Sequence, residues 1–107
     1  MSVELNRDNY EQETTGMKES VLVDFWGERC IPCKALSPVV EQLEKDYDGK
    51  LKVATVNAPE NRMLCAKLRV LSLPTFILYK DGEEAQRLTG EELTPDEIKT
   101  AVKELLA

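Results

Sequence analysis

The pair Cys30 and Cys33, set in Trp26-Gly27-Glu28-Arg29-Cys30-Ile31-Pro32-Cys33-Lys34, constrains this chain more than any other stretch. An apolar run from Val21 to Trp26 precedes it and a helical pattern follows, so a strand would deliver Cys30 to the mouth of a helix. Backbone N–H groups at a helix N-terminus point at such a sulfur and favour its thiolate. The spacing lets the second thiol reach the first and close a disulfide. Other readings of the pair need more than the chain offers. Two buried small hydrophobes would not need this placement. A structural zinc site takes four ligands, and three cysteines with no histidine fall short without carboxylates or a second chain. An iron–sulfur cluster meets the same shortage. Haem attachment needs a histidine where Lys34 stands. The absence of histidine also removes any Ser-His or Cys-His machinery.

The pattern on either side supplies a frame. Val3-Glu4-Leu5 alternates and reads as an edge strand. Asn6 can cap a helix over roughly residues 7–15, with Asp8 in its first turn. Val21 to Trp26 is apolar on both faces except at Asp24, as central, doubly covered strands are. After the cysteines, Cys33, Leu36, Val40, Leu43 and Tyr47 recur at spacings of three and four, one face of an amphipathic helix that carries Pro38 inside it and ends at Asp48-Gly49. Pro38 should kink it.

A strand over residues 51–56 comes next, then a helix over about residues 60–68 with Leu64 and Leu68 inward. Leu73-Pro74-Thr75 introduces the strand Phe76 to Tyr79, and Asp81-Gly82 signals a hairpin whose second strand ends at Gly90. Thr94-Pro95-Asp96-Glu97 spells a capping box for a last helix with Ile98, Ala101, Val102 and Leu105 on one face. The order β-α-β-α-β-α-β-β-α predicts an α/β fold: a central mixed five-stranded sheet flanked by four helices. No repeat, linker or low-complexity run divides residues 1–107, so a single domain is expected.

The net charge of −6 disfavours generic binding to nucleic acid or anionic membrane. No apolar run approaches membrane-spanning length, and Met1 to Leu5 lacks the basic-then-apolar pattern of a signal peptide. A soluble, cytoplasmic protein is the expectation, and in a reducing cytoplasm a Cys-x-x-Cys is a redox or metal motif rather than a staple.

With these pieces placed, the chain resembles the thioredoxin family along almost its whole length. The matching stretches are Val23-Asp24-Phe25-Trp26, Cys30-Ile31-Pro32-Cys33-Lys34, Pro38, Lys50-Leu51-Lys52-Val53-Ala54, Leu73-Pro74-Thr75, Asp81-Gly82 and Gly90. The resemblance implies that Cys30 is the nucleophile and Cys33 the resolving thiol, and that Asp24 is a buried acid beneath them, a proton acceptor or relay for Cys33. It implies that Pro74 is cis and lies against the cysteines, with Leu73 and Pro74 leaving backbone for a substrate chain. Trp26 would pack under the loop, and Gly90 would leave room for the partner. Arg29, Ile31 and Pro32 complete the expected contact surface, with Lys34 tuning the thiolate. The expected electron donor is a flavoprotein thioredoxin reductase and the targets are disulfide-containing proteins. The protein would be monomeric, with no cofactor beyond the redox-active Cys30–Cys33 disulfide and no metal.

The chain also departs from the family. Arg29 stands where tryptophan is usual and Ile31 where glycine is usual. Thr55 replaces a lysine often found near the buried acid, and Asn57-Ala58-Pro59 lacks the usual Asp. Arg29 and Lys34 should favour the Cys30 thiolate. Two further functions stay open at this point: a specialised electron donor to one partner, such as an amino-acid reductase, and a binding module with secondary redox chemistry.

Overall fold

The computed structural model describes residues 2–107. Among them, five strands form one sheet in the order β1-β3-β2-β4-β5. The strands are β1 (Val3–Glu4), β2 (Ser20–Trp26), β3 (Leu51–Asn57), β4 (Thr75–Lys80) and β5 (Glu83–Thr89), and the α-helices are α1 (Tyr10–Glu13), α2 (Ile31–Asp46), α3 (Arg62–Leu68) and α4 (Pro95–Leu106). β2 pairs parallel with β3 and antiparallel with β4. The helical crossover through α2 makes the β2–β3 pair parallel, the connection through α3 returns β4 antiparallel beside β2, and the hairpin adds β5 antiparallel to β4.

Strand alternation divides the core. Val21, Val23 and Phe25 face one layer with Leu64, Cys65, Ile77 and Tyr79. Leu22 faces the other, with Leu36, Val40 and Leu43 of α2 and Ile98, Val102 and Leu105 of α4. By the same period of two, Asp24 and Trp26 fall on the α2 face. Every residue from Val21 to Phe25 is buried, which is why that strand reads as a nearly unbroken apolar run.

Local signals set the boundaries. Asp81 and Gly82 both have positive φ, 53° and 82°, the type I′ geometry that matches strand twist. A Cβ on Gly82 would sit 2.7 Å from the Thr15 carbonyl oxygen, so glycine is also needed for the hairpin tip to approach the end of α1. α2 runs on through Pro38.

Two helices are shorter than the sequence suggests. The Asn6 side chain accepts from the Asp8 and Asn9 N–H groups at 2.8 and 3.3 Å, which holds residues 7–9 in a turn and delays α1 to Tyr10. Before α3, a separate 3-10 turn (Ala58–Glu60) forms around Pro59. Asn57 Nδ2 donates to Glu60 and Asn61 Nδ2 to the Asn57 carbonyl, so the helix starts at Arg62 rather than residue 60.

Candidate active site

β2, α2 and the start of β4 meet at one end of the sheet. β2 ends at Trp26, and the chain turns through Gly27, which is buried. A Cβ on Gly27 would lie 3.2 Å from Leu73 Cδ1 and 3.3 Å from Pro59 Cγ, so a larger residue here would make both side chains give by a few tenths of an ångström. The Cys30 N–H then donates to the Gly27 carbonyl at 3.1 Å. Cys30 becomes the N-cap of α2 in an extended conformation, and its Sγ accepts the Cys33 N–H at 3.2 Å. That bond takes the place a serine or aspartate oxygen fills at an ordinary helix start. Pro32 sits in the first turn, where its missing N–H costs nothing. Cys30 and Cys33 are joined as a disulfide. Their surroundings differ: Cys30 is partly exposed and Cys33 is buried on the inward face of the helix.

Asp24 lies on the α2 side of the sheet, beside Thr55 in register on β3. It is 8% exposed and lines a groove of about 570 Å³ shared with Cys33, Trp26, Lys34, Ser37 and Thr55. Burial pushes its carboxyl up to about 7. Desolvation penalises the charged form, and among the described residues no side chain hydrogen-bonds it. The groove thus brings Asp24 and Cys33 to one cavity, and Thr55, the neutral residue beside the acid, leaves it uncompensated. Lys34 lines the same groove from the exposed side of α2.

The Leu73–Pro74 peptide is cis. Hydroxyl groups tie this loop to β5. Thr75 Oγ1 donates to the Ser72 carbonyl at 2.7 Å and lies 2.8 Å from Thr89 Oγ1, which is 3.0 Å from Ser72 Oγ. The Gly90 N–H donates to the Pro74 carbonyl at 3.1 Å. Gly90 has φ +121°, and a Cβ built there meets nothing within 4 Å. Its glycine is required by the backbone, and the space beside it is open.

The rim is apolar and cationic. Ile31 is 80% exposed and Leu71, just before the cis peptide, 88%. Arg29 is exposed and belongs to a different cavity from Asp24, with Arg62. Sequence reasoning did not single out Gly27, Arg62 or the Ser72–Thr75–Thr89 cluster. Gly27 stood in plain view at the strand exit, but its contacts with Pro59 and Leu73 join segments far apart in the chain.

A family model described as Thioredoxin matches residues 1–104. The chain belongs to the thioredoxin family. A thioredoxin from Acetoanaerobium sticklandii is 39% identical over 103 residues, covering 96% of this chain and 98% of its own. One from Peptoclostridium acidaminophilum is 35% identical, covering 94% and 91%. One from Staphylococcus haemolyticus is 40% identical, covering 82% and 83%. As a thioredoxin-family protein whose two cysteines stand at bonding distance, the chain is a disulfide oxidoreductase with a thioredoxin fold. No helix among the described residues is long and apolar enough to cross a membrane.

Proposed function

We propose that this thioredoxin-family chain, one domain over residues 1–107, acts in the cytoplasm as a protein-disulfide reductase. In the reduced protein the Cys30 thiolate attacks one sulfur of a target disulfide. A Cys30–target mixed disulfide forms and the other target sulfur leaves as a thiolate. Cys33 then gives up its proton to Asp24 and attacks Cys30 Sγ. The Cys30–Cys33 disulfide forms, the second target thiol departs, and two electrons have passed to the target. A flavoprotein thioredoxin reductase returns the pair to the dithiol. No metal or separate cofactor takes part.

The observation that carries this reading is the asymmetry of the pair: a partly exposed Cys30 whose sulfur is held by a helix N-terminal N–H, and a buried Cys33 in one groove with an uncompensated carboxyl. Around the pair, the Leu73–Pro74 backbone, Trp26, Ile31, Pro32, Gly90 and Arg29 form the surface for the target, and Lys34 adds a positive charge near the helix start.

Reduction of insulin disulfides tests it. Wild type supplied with reductant should turn over, and Cys33→Ser should stop at a mixed disulfide through Cys30. Insulin reduction that survives loss of both cysteines would contradict the reading.

A further inference from the structure

Beside Cys30, on the β3 side, lies a second cavity of about 510 Å³ that the exchange chemistry does not use. Arg29, the residue directly before Cys30, and Arg62, the first residue of α3, both line it. Both are exposed, and neither has an ion-pair or hydrogen-bond partner among the described residues. Two carboxylates share the cavity. Glu60 is engaged by Asn57 Nδ2 at 3.0 Å within its own turn, and Glu28 also lines the Asp24 groove. Pro59, which lines this cavity, lies against Gly27, as does Leu73 of the cis peptide. The wall of the cavity therefore packs on the loop that leads to Cys30. A target whose sulfur is at Cys30 has neighbouring residues within reach of it.

A guanidinium with free N–H groups presents a planar fork that fits a carboxylate. We propose that Arg29 and Arg62 form a subsite for a carboxylate side chain next to the target disulfide, so that this protein prefers acid-flanked disulfides. This rests on the disulfide-reductase reading above. The sign of the preference is diagnostic. A chain of net charge −6 repels acidic targets and attracts basic ones through its overall field. A preference for acid has to come from local groups.

The test uses three disulfide peptides identical except for one residue beside the cysteine: Glu, Gln or Lys. Their second-order reduction rates are measured with pre-reduced wild type, Arg29→Gln, Arg62→Gln, the double variant and Arg62→Glu. Wild type should favour Glu over Gln by about 3- to 10-fold, the range for two exposed ion pairs acting together. Each single variant should lower that ratio, the double variant should bring it to about one, and Arg62→Glu should move it toward Lys. Equal rates on all three peptides, a Lys preference in wild type, or an unchanged Glu-to-Gln ratio in the double variant would overturn the subsite while leaving the reductase reading in place. Failure of wild type to reduce any of them would overturn both.

Discussion

Two helices in this molecule begin in opposite ways. At the start of α4, Thr94 Oγ1 accepts the Glu97 N–H at 3.2 Å, and Glu97 accepts the Thr94 N–H at 3.1 Å. Asp96 and Glu97 place negative charge in the first turn, so the positive end of that helix is neutralised where it stands. At the start of α2 the cap is a sulfur, Cys30 Sγ, and no acidic residue lies in the first turn. Both ends present the same backbone donors. One set is satisfied by groups that do nothing else. The other is capped by a sulfur that is also half of the disulfide. The acid belonging to α2 is not in its first turn but in the sheet beneath, buried at Asp24.

The comparison can be broken, starting with the largest effect. Cys30→Ser keeps a good capping oxygen at α2 and removes the nucleophile, so disulfide exchange should vanish while far-ultraviolet circular dichroism stays native. Residual insulin reduction would show that the cap position is not the reactive one.

Asp24→Asn comes next. With its carboxyl at about 7 in the fold, against about 3.9 when unfolded, native protein binds more protons between those values. Stability should fall as pH rises through that window, and the full cost of the buried carboxylate is borne above pH 7. Asp24→Asn should flatten that slope and be more stable than wild type at pH 8 by on the order of 4 kcal/mol, read from urea unfolding at pH 4 and pH 8. The same change should slow release of the mixed disulfide by about 10- to 100-fold. Wild-type release should quicken with pH through about 7. Release at wild-type speed in the variant would remove Asp24 from the proton path.

Thr94→Ala is the counterpart at α4. It should cost about 1 kcal/mol of stability, measured by the same unfolding, and leave exchange rates unchanged. A redox effect there would mean the two helix starts are coupled. The smallest effect is expected for Arg29→Trp, which removes a cation beside Cys30. Iodoacetamide alkylation of reduced Cys30 at neutral pH should slow by about 2- to 3-fold, in keeping with the modest size of exposed charge effects. An unchanged rate would leave Arg29 to target recognition alone.

Much of this contrast is legible in the sequence because it is local. Thr94-Pro95-Asp96-Glu97 spells its cap within four residues, Asp81-Gly82 spells its turn within two, and the apolar run around Asp24 announces a buried acid. What escapes is contact between distant segments and competition by short polar side chains. Gly27 looks like any loop glycine until Pro59 and Leu73 are seen against it. The hydroxyls of Ser72, Thr75 and Thr89 meet only because β5 returns beside β4. Asn6 is a plausible helix cap by residue type, yet its side chain holds a turn instead. By the family resemblance Gly90 reads as a gap for a partner. The gap is there, but its φ of +121° already requires glycine.

The central claim is that the N-terminal end of α2 makes Cys30, and not Cys33, the attacking sulfur. Limiting iodoacetamide added to the fully reduced protein at pH 7, followed by peptide mass spectrometry, reads this directly. The label should appear at Cys30 well before Cys33, because Cys30 is both the capping sulfur and the accessible one. Equal labelling of the two cysteines, or label first at Cys33, would contradict the account.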